Sequence, residues 1–332
     1  QGPKIRIERF AGGSAMLTEG EPFTLDPGLG AHEGTDRAVG MTYPDLATDV
    51  QAGDELILGD GQIELRVVGV EGARVECRVL TGGELTDHKG INRRGGGLSA
   101  KALTDKDRED VRLAASLEVD YLAVSFVRQA DDVHEARTLL KAAGSDARIV
   151  AKIERSEAIP RLEEIIKASD AAMVARGDLG VEVGYAQLTG LQKQILHMAR
   201  SLDRVTITAT QMMESMIHSP VPTRAEVSDV ANAVLDGSDA VMLSGESAVG
   251  KYPSRAVEAM AEVIEGAEKY QLARTSRGER FEGRVTEFAQ AIAHAVMFTA
   301  NHMDVEAIVA LTESGSTPLW MSRIRSDIPI FA

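Results

Sequence analysis

Charged side chains close two apolar segments with a spacing suited to binding an anion and a metal ion. The first segment ends in Lys152 and Glu154 with one residue between them, and the second ends in Arg176 and Asp178. Alternate side chains of a strand share a face, so Lys152 and Glu154 are expected to point the same way. Neighbouring strands lie about 4.8 Å apart, so Glu154 and Asp178 can reach one ion. Two carboxylates completed by water and substrate oxygens are typical of Mg²⁺ (or Mn²⁺), and no His or Cys cluster indicates zinc.

A salt bridge at a strand end is the competing interpretation, and it is the better one for Lys152 and Glu154 taken alone. A second strand that ends in the same way weakens it. Gly177 lacks a Cβ, so backbone N–H groups ahead of the next helix can approach an anion closely. Thr210 ends the following apolar segment and places a hydroxyl beside the same space. A single Thr there is equally explained by β-propensity, so Thr210 depends on its neighbours for support.

The segments that must position these groups change character along the chain. Residues 5 to about 92 show short β-type runs broken by Gly, Asp and Pro, which predicts a small β-barrel or sandwich. After the glycine cluster at residues 95–97, helices alternate with buried strands, as in the β/α units of a parallel sheet. A spacing of roughly 25 to 35 residues favours a barrel over an open doubly wound sheet. The five strands predicted in this way span residues 121–127, 148–154, 171–176, 205–210 and 240–243.

Local signals predict further elements. Residues 5–7 have the character of a strand with no cap or polar tail before it, so a preceding segment is expected. The capping box of Thr223 and Glu226 predicts a helix that runs to Gly237. An alanine-rich helix near residues 286–301, a strand at 307–311, another helix and a terminal strand predict an α/β domain that is cut short.

Composition and charge exclude several classes of function. The 332 residues are 44% hydrophobic and 26% charged, which suits a globular protein of more than one domain. The formal net charge is −15, so neither nucleic acid nor an anionic membrane surface is an expected partner. Cys77 is the single cysteine and cannot form an internal disulfide. No segment is apolar for long enough to be a signal peptide or a membrane span, so a cytoplasmic location is expected.

Five longer motifs resemble, in the same order, the successive strand-end motifs of the pyruvate kinase family. They are AKIERSEA, MVARGDLGVE, TATQMMESM, PTRAEVSDVANAVLDGSDAVMLSGES and GKYP. The resemblance covers the whole chain and implies an α/β fold with a partial (β/α)8 TIM barrel. It implies the end of barrel strand 3 at residues 1–7, an inserted β-barrel lid at 8–92, barrel strands 4–8 within 93–270, and a truncated C-terminal α/β domain at 271–332.

The resemblance also implies roles for the residues at the strand ends. Lys152 resembles the lysine that stabilises the phosphoryl-transfer transition state and the enolate, a cation placed where negative charge develops. Glu154 and Asp178 resemble the two protein ligands of the divalent ion. The backbone amides of Gly177 and Asp178 resemble those that receive the substrate carboxylate. Thr210 resembles the threonine beside the enolate, which also helps to bind that carboxylate.

Four further residues acquire roles from the resemblance. Ser125 and Arg176 are assigned supporting roles in substrate binding, and Arg6 and Lys89 resemble the contacts to the nucleotide phosphates. The implied glycolytic reaction transfers the phosphoryl group of phosphoenolpyruvate to ADP and protonates the enolate to pyruvate, largely through positioning and charge stabilisation. The family is commonly a homotetramer.

Some positions bear on cofactors and on regulation. Lys4, with Gln1 and Ile7, resembles the subgroup in which a lysine charge replaces the monovalent cation, so K⁺ is not expected to be required. Gly59 stands where the family usually has an aspartate, which weakens the case for one lid contact to the nucleotide. A loop near the end resembles the grip on the phosphate of a sugar-phosphate or nucleotide effector: Thr312, Ser314, Gly315, Ser316 and Thr317. A plain helix start, with Thr317 as N-cap and Pro318 at the first helical position, explains that loop equally well.

Three functional hypotheses remain open at this point. The first is a pyruvate kinase represented by an incomplete chain, which extension at both ends would make active. The second is a Mg²⁺-dependent carbon–carbon lyase that uses a pyruvate enolate, against which the β-rich insertion argues. The third is an inactive product, because a barrel that lacks strands has open edges.

Overall fold

The computed structural model describes residues 2–3, 5–59, 61–275, 285, 287–324, 326 and 328–332, with side chains left out at 271–275. Two compact units divide the chain, Gln1–Gln192 and Lys193–Ala332. Among the described residues, no helix combines the length and the apolar character needed to cross a membrane.

The first unit begins with a β-rich region that has its own core. Its elements are β1 (Ser14–Leu17), β2 (Pro22–Leu25), β3 (Ala38–Val39), α1 (Leu46–Asp49), β4 (Glu55–Leu58), β5 (Ile63–Glu71), β6 (Arg74–Thr81), β7 (Gly83–Thr86) and β8 (Ile91–Arg93). A six-stranded sheet has the order β3-β2-β6-β5-β4-β8, and β1 pairs with β7 in a separate antiparallel pair. Buried and exposed residues alternate along β6, which places one face of the sheet against a shared apolar core. Neither sheet closes on itself among the described residues, so the predicted small β-barrel is not confirmed.

The rest of the first unit alternates strands and helices. Its elements are α2 (Asp105–Ser116), β9 (Tyr121–Val124), α3 (Ala130–Ala142), β10 (Arg148–Ile153), a 3₁₀ helix (Ser156–Arg161), α4 (Leu162–Ala168), β11 (Ala171–Ala175), α5 (Arg176–Val183) and the first part of α6 (Tyr185–Ser201), whose residues from Lys193 onward belong to the second unit. Strand β10 pairs in parallel with β9 and with β11. Every residue of β11 is buried, as expected for a strand covered on both faces. The parallel pairing brings the carboxyl ends of the three strands to one edge.

The second unit contains the remaining elements. They are β12 (Val205–Ala209), a 3₁₀ helix (Glu214–Ile217), α7 (Arg224–Asp236), β13 (Ala240–Met242), α8 (Gly245–Ala248), α9 (Pro253–Thr275), α10 (Phe288–Asn301), β14 (Ile308–Val309), α11 (Ser316–Ser322) and β15 (Ile330–Phe331). The pairs β12–β13 and β14–β15 are parallel. The predicted capping box opens α7, and Gly237 closes it in the left-handed conformation with φ 108°.

Several strands end earlier than the sequence pattern predicts. Strand β9 stops at Val124 and Phe126 adopts φ 56°, while β12 stops at Ala209 and Thr210 adopts φ 70°. A left-handed residue cannot continue a strand, so the polar side chains at these ends lie in turns. Period-two patterns locate a strand but do not mark where its backbone turns.

Two further predictions differ from the structure at the ends of the chain. The segment around Arg6 and Ile7 forms only isolated bridges, to Gly90 and Met41, and its place at the end of a barrel strand stays a prediction. Helix α11 begins at Ser316 with Gly315 as N-cap, so the N-cap at Thr317 is wrong. Pro318 lies within the first turn, where its missing N–H costs no helical hydrogen bond.

Candidate active site

Lys152 lies near the carboxyl end of β10 with its ammonium group held by two neighbours. Its Nζ donates to Ser125 Oγ at 3.0 Å and lies 2.9 Å from Glu154 Oε2. The parallel register of β9 and β10 sets Ser125 beside Lys152. A quarter of the Lys152 side chain is exposed, whereas the Glu154 side chain is fully buried. The ammonium group is therefore held by Ser125 and Glu154, and the exposed part of the side chain can meet a ligand.

Glu154 is a buried carboxylate with one oxygen incompletely satisfied. Its Oε1 accepts a hydrogen bond of 2.7 Å from the backbone N–H of Phe126. Its Oε2 is ion-paired with Lys152 but accepts no well-oriented hydrogen bond within the described chain. Burial raises the pKa of Glu154 above its usual range, the charge of Lys152 opposes that rise, and the charge of Asp178 adds to it. The coupling places Asp178 within electrostatic reach of Glu154.

These two carboxylates fit a hard divalent cation. A buried oxygen without a good donor costs free energy that a bound cation would relieve. No group of three or more His, Cys, Asp or Glu side chains suited to a metal ion occurs in the part of the chain that the structure describes. An ion held by Glu154 and Asp178 would therefore complete its shell with water and substrate oxygens, as Mg²⁺ commonly does.

Helix α5 begins at the end of β11 and carries three of the predicted residues in its first turn. Arg176, Gly177 and Asp178 follow the N-cap residue Ala175. The sequence predicted that these residues precede the helix, but the structure places them inside it. The N-terminal turn is the positive end of the helix dipole and favours an anion. Arg176 is only 7% exposed, which agrees with a supporting charge rather than a direct contact.

A single cavity of about 390 Å³ in the first unit gathers five of the predicted residues. They are Arg6, Lys89, Ser125, Lys152 and Asp178. Arg6 and Lys89 come from segments that pair with each other, since Arg6 bridges to Gly90 and Ile7 N–H donates to Lys89 O at 3.0 Å. The charged lining residues are mostly basic, which suits a ligand rich in phosphate oxygens.

Two basic residues of the cavity were not singled out from the sequence. Arg155, directly after Glu154, is only 2% exposed and nevertheless lines the cavity. His88 also lines it, and its Nε2 accepts a hydrogen bond of 2.9 Å from Arg9 Nε. Arg155 lies within the motif AKIERSEA, which was the available signal. Two of its partners, Leu98 and Glu182, lie far along the chain, so the motif did not reveal what holds this side chain.

Thr210 belongs to the second unit and has an unusual backbone. It adopts φ 70° and the next residue, Gln211, adopts φ 54°. The left-handed region is costly for a β-branched residue, and such strain clusters at functional sites. The Thr210 hydroxyl donates to Ala209 O at 2.6 Å. Its role at the substrate stays a prediction.

The proposed effector loop, also in the second unit, is occupied by its own hydrogen bonds. Thr312 Oγ1 accepts from Gly315 N at 3.0 Å, and the hydroxyls of Ser314 and Ser316 lie 2.8 Å apart. Thr317 is in the first turn of α11. The effector assignment is untested by this geometry. Gln1 and Lys4, on which the K⁺ prediction depends, lie outside the described residues.

Comparisons with known proteins identify the family. The family profile described as "Pyruvate kinase, barrel domain" matches residues 1–257, and "Pyruvate kinase, alpha/beta domain" matches residues 290–332. The chain belongs to the pyruvate kinase family. It is 53% identical to a pyruvate kinase of Buchnera aphidicola subsp. Schizaphis graminum and to pyruvate kinase II of Salmonella typhimurium, over 100% of this chain and 70% of each relative. A pyruvate kinase of Haemophilus influenzae is 52% identical with the same coverage.

Membership of the pyruvate kinase family confirms three predictions from the sequence. The resemblance, the pyruvate kinase function and the class of enzyme, a phosphotransferase, all agree with these matches. The comparisons offer no support for the carbon–carbon lyase. An α/β fold is confirmed as well, because the matched family domains are a barrel and an α/β domain.

Proposed function

We propose that this chain provides, in the cavity of the first unit, the site for phosphoenolpyruvate and ADP of a protein that transfers the phosphoryl group between them with the help of Mg²⁺ or Mn²⁺. The observation that carries the proposal is the Lys152 ammonium, held 3.0 Å from Ser125 Oγ and 2.9 Å from Glu154 Oε2, at a cavity that Asp178 also lines. A fixed cation with no need to reorganise is what a reaction that develops negative charge requires.

Lys152 would act on the substrate at the point where charge appears. As the phosphoryl group leaves, negative charge grows on the transferring oxygens and on the enolate oxygen, and a preorganised ammonium stabilises both. The role of Thr210 at the enolate rests on the resemblance alone. The substrate carboxylate would meet the amides of Gly177 and Asp178 at the N-terminus of α5, where the helix dipole favours an anion. Protonation of the enolate then completes pyruvate.

Glu154 and Asp178 would hold the divalent cation, which supplies charge neutralisation for the phosphoryl oxygens when it is bound. Burial and mutual repulsion would disfavour two ionised carboxylates without a cation, and Lys152 offsets part of that cost. Ser125 would orient the Lys152 ammonium, and Arg176 would support the turn between β11 and α5.

Arg6 and Lys89 would bind the phosphates of ADP from the lid side of the cavity. Both are cavity-lining cations on segments that pair with each other. Phosphate binding by a pair of cations is dominated by charge and weakens with salt. Gly59 stands where the family usually has an aspartate, so the lid would lack one carboxylate contact to the nucleotide.

The finer architecture belongs to the same proposal. Residues 1–7 would end barrel strand 3, residues 8–92 form the lid, residues 93–270 contain barrel strands 4–8, and residues 271–332 contribute to the C-terminal α/β domain. The protein would act as a cytoplasmic homotetramer without need of K⁺, and the loop from Thr312 to Thr317 would receive the phosphate of an effector.

The test is a coupled assay of pyruvate and ATP formation from phosphoenolpyruvate and ADP. A version of the chain extended at both ends to the length of the family should be active with Mg²⁺ and in potassium-free buffer, and the 332 residues alone should be inactive. Cleavage of an aldol substrate without ADP would instead support the lyase. A strict K⁺ requirement would remove the role proposed for Lys4, and absence of pyruvate formation by the extended version would refute the proposal.

A further inference from the structure

A buried arginine next to the candidate metal ligand has three partners from three parts of the first unit. The guanidinium of Arg155 donates from Nη2 to Glu157 Oε1 at 2.8 Å and to the backbone oxygen of Leu98 at 3.3 Å. Its Nε lies 3.1 Å from Glu182 Oε1, and both of these side chains are 2% exposed. A planar guanidinium holds carboxylates in a fixed geometry that an ammonium group cannot reproduce.

The two glutamates that hold Arg155 also contact one short segment, Glu157 through its carboxylate and Glu182 through its backbone oxygen. Glu157 Oε1 accepts from Gly97 N–H at 2.6 Å, and the backbone oxygen of Glu182 accepts from Gly95 N–H at 3.1 Å. Glu182 Oε2 also accepts from Ser156 N–H at 2.7 Å, which ties the network back to the residue after Arg155. Residues 95–98 are therefore fastened at three points, the amides of residues 95 and 97 and the carbonyl of residue 98.

This segment, here called the hinge (residues 95–98), follows the last lid strand directly. Strand β8 ends at Arg93, and Gly95, Gly96 and Gly97 adopt φ of 80°, 76° and 91°. Three successive left-handed glycines lose more conformational freedom on ordering than any other sequence would. A glycine segment of this kind holds one conformation only when contacts from neighbouring residues fix it, and the Arg155 network supplies such contacts.

The hinge also borders the cavity, because Leu98 and Arg155 both line it. Glu154 precedes Arg155 in the chain, so the network begins at the strand end that carries the candidate metal ligand and the Lys152 ammonium. Arg6 and Lys89 line the same cavity. Lys89 lies nine residues before Leu98 in the chain, so the conformation of the hinge bears on where this cation is held.

We propose that Arg155 is a positioning residue that locks the hinge to the end of β10, and so holds the lid cation Lys89, with Arg6 paired beside it, at the cavity that Lys152 lines. The inference rests on the proposed function, since its consequence is expressed in ADP binding. Loss of the lock lowers the fraction of molecules in which these two cations are in place. An apparent affinity falls in proportion to that fraction, so ADP binding weakens while the phosphoenolpyruvate site on β10 and α5 is less affected.

Two hinge glycines offer a matched pair of variants that leave Arg155 itself intact. A Cβ added at Gly96 would meet the Ser156 hydroxyl and, at 2.6 Å, Glu157 Oε2, whereas one added at Gly95 would meet nothing within 4 Å. Both positions have similar positive φ, so Gly95→Ala and Gly96→Ala share the backbone strain. Only Gly96→Ala pushes the network apart, which makes Gly95→Ala its control.

The measurements are the KM for ADP, the KM for phosphoenolpyruvate, and amide hydrogen exchange of residues 95–98, all in the extended protein at pH 8. Gly96→Ala should raise the KM for ADP about tenfold with a change in the KM for phosphoenolpyruvate of under about twofold, and should speed hinge exchange. Gly95→Ala should keep both KM values near those of the wild type. Arg155→Lys, which retains the charge but loses the fork, should move ADP binding and exchange in the same direction.

The outcomes distinguish a failure of the proposed function from a failure of the Arg155 lock. If the wild type makes no ATP, the proposed function fails, while calorimetric ADP binding and hinge exchange still decide the lock. Equal ADP affinities and equal exchange in the two alanine variants and in Arg155→Lys would overturn the lock with the catalytic assignment intact. If Gly96→Ala alone fails to fold, Arg155→Lys decides, and an unchanged ratio of the two KM values in that variant contradicts the proposal.

Discussion

Replacement of Lys152 by methionine removes the cation of the candidate site while keeping most of the volume of its side chain. In the structure the ammonium lies 2.9 Å from Glu154 Oε2 and 3.0 Å from Ser125 Oγ, at the boundary between the buried strand end and the cavity. A unit charge about 4 Å from a developing charge, at the effective dielectric constant of about 20 that suits such sites, contributes about 4 kcal/mol. Since 1.36 kcal/mol is a factor of ten in rate, Lys152→Met should lower kcat by about a thousandfold.

Substrate binding should be largely spared, because the helix N-terminus, the cations Arg6 and Lys89 and the divalent ion remain. The assay is steady-state pyruvate formation at saturating Mg²⁺, with phosphoenolpyruvate binding measured separately by calorimetry and folding checked by circular dichroism. High Mg²⁺ and pH 8 matter, since Lys152 normally opposes the burial-driven rise in the pKa of Glu154. The matched control is Ser125→Ala, which removes the 3.0 Å hydrogen bond but keeps the charge and should cost about tenfold or less. A kcat for Lys152→Met within tenfold of the wild type would refute the role given to this residue.

Three further predictions concern stability and reactivity. Burial raises the pKa of the Cys77 thiol to about 12, so the native protein should resist labelling by a thiol reagent at pH 8, and rapid labelling before unfolding would contradict this. Thr223→Ala removes the side-chain oxygen that accepts from Glu226 N–H, and should lower the free energy of unfolding by about 1 kcal/mol with the Tm falling accordingly, whereas Thr223→Ser should not. Burial raises the pKa of Glu182 from its ordinary value of 4.5 to about 7, although the charge of Arg155 opposes the rise. A raised pKa gives stability that is present below 4.5 and lost as the pH rises through 7. The Tm of Glu182→Gln should therefore fall less than the Tm of the wild type between pH 5 and pH 8, and equal falls in the two proteins would contradict this prediction.

The parts of the site that follow a local rule were predictable from the sequence. A two-residue period is enough to place Lys152 and Glu154 on one face of a strand, and a capping box is enough to start α7 at Arg224. The strand-end motifs predicted the pyruvate kinase family, and the matches to two domains of that family confirm the prediction. Local rules failed where the backbone turns, since nothing in the residue types announces that Phe126 or Thr210 adopts a positive φ.

The amino-acid sequence by itself determined which residue types stand at each strand end, and therefore the chemistry available there, because side-chain alternation and helix capping act over a few residues. Only the tertiary structure decided which of these groups share a cavity and what holds them. Arg155 bonds to Leu98, 57 residues earlier, and Glu182 reaches Ser156 across 26 residues. Contacts at such separations form because parallel strands bring their carboxyl ends together and burial then requires every charge to find a partner, and neither condition is visible in a local pattern.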